Sequence, residues 1–230
     1  MRVFALETGT RAASAAISED RRLLAEAYAD IGLTHSETAM VLADEVFRRT
    51  GLKPADMDCF AAATGPGSFT GLRIGLGIIK GLAFAAQKPC ADVPTLEALA
   101  FGAPPGERII VPVLDARRSR VYTAAFLKEP GGLRRLESDC VLSFEELAEK
   151  YKGERVFLIG DAAAEAAGRL ASSVDCLCAA PEAALPRASF VAAAAFTRIE
   201  KGQLCSADEL RAEYLQPSQA ERLRKEREGC

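Results

Sequence analysis

The 230-residue chain carries one pattern twice, and that repeat limits its fold more than any other feature. The first copy opens "RVFALETGTRAASAAISEDRRLLAEAY". It reads as a strand ending at Glu7, a tight turn, an alternating strand, a polar turn at Glu19-Asp20-Arg21 and a third strand. The second opens "RIIVPVLDARRSRVYTAAFLKEPGGLRRLESDCVL". It reads as a strand ending at Asp115, a turn, an alternating strand, a turn at Pro130-Gly131-Gly132 and a third strand. Glu7 and Asp115 hold equivalent places.

The copies stay in step. Thr34-His35-Ser36-Glu37 and Ser143-Phe144-Glu145-Glu146 are capping boxes, in which a hydroxyl and a glutamate three residues on satisfy each other's backbone amides. They predict a helix running to about Thr50 and a shorter one after Ser143. Strands ending at glycine follow, "DCFAAATG" and "RVFLIG". Then come helices over 70–86 and 162–171, short strands over 90–93 and 174–178, and closing helices after Pro94 and after Pro186. The order β-β-β-α-β-α-β-α, twice, predicts an α/β protein of two stacked lobes with a cleft between them. The stretch "APPGE" from Ala103 is the hinge candidate, giving lobes over 1–103 and 104–230, the second with a C-terminal tail.

Composition excludes several classes. Net charge is −3, so no global basic field gathers nucleic acid, and any RNA contact must be local or through a partner. Arg73 and Lys80 interrupt the longest apolar run, which argues against a membrane span. "MRVFALETGT" lacks the features of a signal peptide, so the expected location is the cytoplasm. Seven cysteines, Cys59, Cys90, Cys140, Cys176, Cys178, Cys205 and Cys230, show no CxxC spacing and are expected as buried reduced thiols. With a single histidine, His35, no metal site is expected. His35 sits at a helix start and is expected as a capping-turn residue, not a catalytic base.

Six of the 18 glycines fall in "GPGSFTGLRIGLGIIKGLAFAA", residues 65–86. The run is not a phosphate loop, because no Gly-Lys-Ser/Thr follows Gly65 and the spacing does not fit GxGxxG. In the helix beyond, Arg73, Lys80 and Gln87 lie seven apart as one narrow polar stripe. The rest is almost wholly apolar, so the helix needs cover on more than one side. Gly71 and Gly75, then Gly77 and Gly81, each share a helix face, at a cost of about 3–4 kcal/mol relative to alanine for the four. Close packing of another helix would offset that cost. The preceding helix shows a similar apolar excess. The expected partner interface is therefore Ser36, Met40, Ala43, Phe47, Gly71, Arg73, Ile74, Gly75 and Ile78.

Two lobes, each opening with a strand and an acidic turn, resemble the actin/Hsp70/sugar-kinase superfamily, whose lobes have the actin-like (RNase H-like) fold. Within it, "GPGSFTGLRIG", "THSETAM", "LDARRSRVY" and "AEYLQPSQAE" resemble the TsaB family. That resemblance implies a non-catalytic subunit of the tRNA threonylcarbamoyladenosine machinery, a dimerisation scaffold for the catalytic paralogue TsaD with the TsaE ATPase docking on the pair. It also implies that the chain works with tRNA through the complex, and the apolar helical face suggests a homodimer when the chain is alone.

The superfamily's phosphate turns fall at "LETGT", residues Glu7, Thr8, Gly9 and Thr10, and at Asp115. Both are degenerate. Glu7 replaces the usual aspartate, shifting the carboxylate by about a bond length, which an octahedral magnesium shell tolerates poorly. "LDARRSR" has no glycine to admit a phosphate. Arg117, Arg118 and Arg120 are instead available to RNA phosphate or an acidic partner surface. The catalytic paralogue's metal-binding helix carries two histidines where this chain has Thr95 and Leu99. The alternatives are an active nucleotide-dependent kinase or ATPase, which needs two working phosphate turns, and a glycoprotease-type metallopeptidase, which needs the missing ligands. The tail "ERLRKERE" nets one positive charge and is expected to be a solvated helix or a frayed end.

Overall fold

The computed structural model describes residues 1–130 and 132–216. Gly131, the last residues of "AEYLQPSQAE", the "ERLRKERE" tail and Cys230 lie outside the described residues.

Each repeat forms a five-stranded mixed sheet. The first is built from β1 (Arg2–Glu7), β2 (Ala13–Glu19), β3 (Arg22–Ala29), β4 (Cys59–Gly65) and β5 (Cys90–Pro94), in the order β3-β2-β1-β4-β5. The second has β6 (Ile109–Asp115), β7 (Arg120–Glu129), β8 (Gly132–Ser143), β9 (Arg155–Ile159) and β10 (Asp175–Cys178), in the order β10-β9-β6-β7-β8. Counted from each copy's own first strand, the two orders are the same. In each, the first three strands are antiparallel and the fourth and fifth join in parallel. This is the predicted two-lobed, actin-like architecture.

The helices are α1 (His35–Thr50), α2 (Phe69–Ala86), α3 (Thr95–Phe101), α4 (Phe144–Lys150), α5 (Ala163–Leu170) and α6 (Ala188–Glu200). The capping box forms in full at α4, and its glutamate half forms at α1. At α4, Ser143 N donates to Glu146 Oε2 at 2.7 Å and Glu146 N donates back to Ser143 Oγ at 3.1 Å. At α1, Thr34 N donates to Glu37 Oε2 at 2.9 Å.

Strand alternation sorts the side chains into four cores. Phe4, Leu6 and Ile17 face α1 and α2, where they meet Val46, Leu76 and Ile79. Val3 and Ala5 face the opposite way and meet Val191, Ala192 and Ala195 of α6. In the second lobe, Val111 and Val113 meet α4 and α5, while Ile110, Leu114 and Phe126 meet Leu96 and Leu99 of α3. The closing helices are thus exchanged: α3 ends the first repeat but covers the second sheet, and α6 ends the second repeat but covers the first. Repeat and packing unit do not coincide on either side of Ala103. Alanine-rich strands in the first lobe explain how α6 fits, since small side chains let it lie close to the sheet.

The chain then returns to the first lobe as a strap. Cys90 N donates to Cys205 O at 2.8 Å and Cys205 N to Cys90 O at 2.9 Å. Leu210 is buried among the α2 core residues, and Glu213 N donates to Thr64 O at 2.8 Å. The Tyr214 ring lies 4.7 Å from that of Phe69, and Arg73 Nε donates to the Tyr214 hydroxyl at 3.2 Å. Of the described cysteines, Cys59 and Cys90 are buried, Cys140, Cys176 and Cys205 half-buried, and Cys178 is exposed on the edge strand β10. The expectation of burial therefore fails at Cys178, because a four-residue edge strand leaves one face open.

Candidate functional site

A cleft of about 1130 Å³ separates the lobes. Gly9, Thr10, Arg11 and the loop from Pro66 to Thr70 line one wall, with Asp115, Arg117, Ser119 and Asp161 on the other. The carboxyl ends of β1 and β6 deliver the two equivalent turns to it.

In the first turn, Glu7 is fully buried. Its Oε1 accepts from the Gly9 amide at 2.6 Å, while Oε2 has no partner. Burial pushes its carboxyl up to about 8, against the pull of the Gly9 hydrogen bond. The amide that a phosphate would need is therefore turned inward and occupied. The Gly9 carbonyl accepts from Ser68 N at 2.6 Å, and a Cβ at Gly67 would lie 2.2 Å from the same oxygen. Only glycine fits there, and the loop preceding α2 is clamped onto the turn. Thr8 Oγ1 donates to Gly71 O at 2.9 Å, beneath the surface. Of the four candidates in "LETGT", Gly9 and Thr10 line the cleft, whereas Glu7 and Thr8 do not.

The second turn repeats the device. Asp115 Oδ1 accepts from Arg117 N at 2.7 Å, again from the amide two residues on. The Asp115 amide donates to Asp161 Oδ1 at 2.8 Å, and burial raises the Asp161 carboxyl above its ordinary value. Each turn thus caps itself with its own acid. Sequence reading identified both acids as phosphate-turn relics but missed that their carboxylates occupy the amides. The extra methylene of glutamate is not the cause, since Asp115 reaches the equivalent amide with the shorter side chain.

His35 bridges α1 to the first turn, its Nε2 lying 2.7 Å from Thr10 O. Among the described residues, no three metal-ligating side chains of the His, Cys, Asp and Glu types converge. Thr95 and Leu99 are both buried at 0% exposure. Leu99 lies in the α3 core, and Thr95 lies against the first turn, its Oγ1 3.4 Å from where a Gly9 Cβ would be.

The nine expected interface residues divide. Ser36, Met40 and Arg73 are exposed, and Phe47, Ile74 and Ile78 are half-buried. Ala43, Gly71 and Gly75 are buried within this chain, which corrects the expectation for them. A Cβ at Gly71 would lie 2.1 Å from Thr8 O, and one at Gly75 would lie 2.2 Å from Thr8 Oγ1. These glycines admit the β1 turn, not a partner helix. Gly77 and Gly81 meet nothing within 4 Å. The open stripe of α2 is Arg73, Gly77, Gly81 and Phe84, the last 75% exposed, and α1 adds Met40 at 50% and Val41 at 66%. Val41 and Phe84 were missed, although Phe84 lies eleven residues from Arg73 on the same face. By length and composition alone α2 could cross a membrane, yet Leu72, Leu76 and Ile79 are core, each burial stabilising by about 1.5–3 kcal/mol.

A family model described as TsaD, tRNA N6-adenosine threonylcarbamoyltransferase, matches residues 30–216. The Escherichia coli tRNA threonylcarbamoyladenosine biosynthesis protein TsaB is 32% identical over 155 residues, 66% of this chain and 67% of that one. The Bacillus subtilis protein of the same name is 30% identical over 162 residues, 70% and 71% of the two chains. The structure of YeaZ from Pseudomonas aeruginosa superposes with a TM-score of 0.81 at 28% identity, covering 93% of this chain and 99% of that one. A ROK hexokinase from Thermus thermophilus shares the fold alone, with a TM-score of 0.51 at 14% identity over 87% and 100% of the chains. Given the matching words along the sequence, the doubled sheet order and these likenesses, the chain belongs to the TsaB family.

Proposed function

We propose that the chain is an accessory subunit in tRNA threonylcarbamoyladenosine biosynthesis, the process for which its E. coli and B. subtilis relatives are named. It presents the outer face of α1 and α2 to a TsaD-like catalytic paralogue in a heterodimer. A TsaE-like ATPase acts on that pair in the cytoplasm, and tRNA is engaged through the complex. The subunit itself does no chemistry and needs no cofactor. Alone, it pairs through the same face with a second copy.

The observation that carries this reading is the apolar surface left on two packed helices: Met40, Val41 and Phe84 outward, with Gly77 and Gly81 open beside them. Large exposed apolar side chains rimmed by charge mark association surfaces, and open glycines admit a close helix. The occupied turn amides support the non-catalytic half of the reading. Co-purification of Val41→Asp/Phe84→Asp with the transferase tests it. Affinity falls on the order of 30-fold or more if these are central anchors, and tRNA modification falls with it, while circular dichroism stays unchanged. A folded double variant that binds and supports modification like wild type overturns the proposal. So does robust ATP turnover by the purified chain alone.

A further inference from the structure

The turn between β6 and β7 carries three successive non-glycine residues in the left-handed region, Arg117, Arg118 and Ser119, with φ of 66°, 55° and 56°. Such backbone is unfavourable for any residue with a Cβ, and glycine or asparagine would relieve it. The equivalent turn of the first lobe, around Gly9, has no residue in this region. The strained turn is nonetheless fixed. Asp115 Oδ1 holds the Arg117 amide, Ala116 N donates to Arg120 O at 2.9 Å, and Arg120 N donates to Arg117 O at 3.2 Å. Strained backbone persists where the surroundings over-determine it, and such positions gather at functional sites.

What the turn offers is charge without an apolar anchor. Arg117, Arg118, Ser119 and Arg120 are all exposed. The Arg117 side chain is 84% exposed and reaches Asp115 only at 3.4 Å, through a carboxylate itself 48% exposed. Arg118 makes no hydrogen bond or ion pair with another described residue. Arg120 donates to Val141 O at 3.2 Å. Across the cleft Arg11, 71% exposed, adds a further guanidinium on the first-lobe rim, paired with Asp30. Protein interfaces centre on buried aromatic or aliphatic anchors, and this turn has none. Phosphodiester contacts need only well-placed guanidinium groups and backbone.

The geometry points to this turn as a contact for the tRNA sugar-phosphate backbone, with Arg117 and Arg118 held outward by left-handed backbone at the cleft rim. The contact positions the RNA and reads no sequence. The inference rests on the accessory-subunit reading above, since it needs the transferase to hold the modified adenosine.

The test is the double variant Arg117→Asn/Arg118→Asn in the full chain, assembled with the transferase. Asparagine keeps the left-handed backbone and removes the charge, so the melting temperature should hold or rise. The affinity of the assembly for unmodified tRNA is then measured by fluorescence anisotropy across a salt series. Loss of two phosphate contacts lowers the slope of log affinity against log salt by about 1.4–1.8, and affinity at 0.1 M salt by on the order of 25- to 60-fold. Arg117→Lys/Arg118→Lys should retain most of the slope. An unchanged slope in a variant that still binds the transferase overturns the inference alone. Loss of transferase binding with tRNA contacts intact also overturns it and assigns the turn to an acidic protein surface. Failure of the wild-type chain to bind the transferase removes the accessory-subunit reading and this inference with it.

Discussion

Glu7→Gln isolates the one acid that is fully buried without a cationic partner among the described residues. In the folded chain its carboxyl is raised to about 8 from an ordinary 4.5, with burial as the leading cause. Between those two pH values the unfolded carboxyl has lost its proton while the folded one keeps it. The unfolded state then binds fewer protons, so stability falls as pH rises. At about 1.36 kcal/mol for each pH unit of that gap, the group removes on the order of 3.5 kcal/mol between pH 5 and pH 8. Glutamine keeps the oxygen that accepts from Gly9 and cannot ionise. For a chain of this length, about 2–4 °C follows each kcal/mol. Wild type should therefore lose roughly 7–14 °C in melting temperature relative to Glu7→Gln as pH goes from 5 to 8. Near pH 5 the two should be close, because Gln brings an amide group to the place of the unpartnered Oε2. Paired thermal melts at pH 5, 6, 7 and 8 read the difference directly. Parallel profiles would show that Glu7 ionises normally in the fold, and would refute the placement of a neutral acid under the turn.

Gly75→Ala puts a methyl 2.2 Å from Thr8 Oγ1 and should destabilise by about 1–3 kcal/mol in urea unfolding, whereas Gly77→Ala meets open space and should stabilise by about 0.5–1 kcal/mol. Equal effects would mean that the inward face of α2 is wrongly assigned. Of the described cysteines, a disulfide reagent at neutral pH should label Cys178 first, and Cys59 and Cys90 only on unfolding, since burial pushes both of the latter thiols up to about 12. Early labelling of Cys90 would show that the strap does not lie on β5.

The repeat was legible because capping boxes and strand-ending glycines punctuate both copies at equivalent points. The α2 glycines were legible only in part. A spacing of four places Gly71 and Gly75 on one face, but periodicity does not say which way the face points, and the deciding neighbour, Thr8, is 63 and 67 positions away. The exchange of α3 and α6 was hidden for the same reason. Each helix is compatible with either sheet by pattern, and only the alanine-lined strands of the first lobe select α6. In the turns, residue type showed that phosphate chemistry was degraded, yet the folding back of Glu7 and Asp115 onto their own amides is a matter of rotamer and reach that no spacing encodes.

The exchanged helices have a consequence for cutting the gene in two. A fragment ending near Ala103 would hold the first sheet without α6, leaving Val3, Ala5 and the alanines beside them uncovered, and would leave the Leu96 and Leu99 face of α3 without the second sheet it covers. The remaining fragment would have the reverse deficit. Neither half is a self-sufficient folding unit, but each carries the piece the other lacks, so the two expressed together should restore a native complex by fragment complementation. The two copies of the repeat hold together because each sheet takes its cover from the other's last helix.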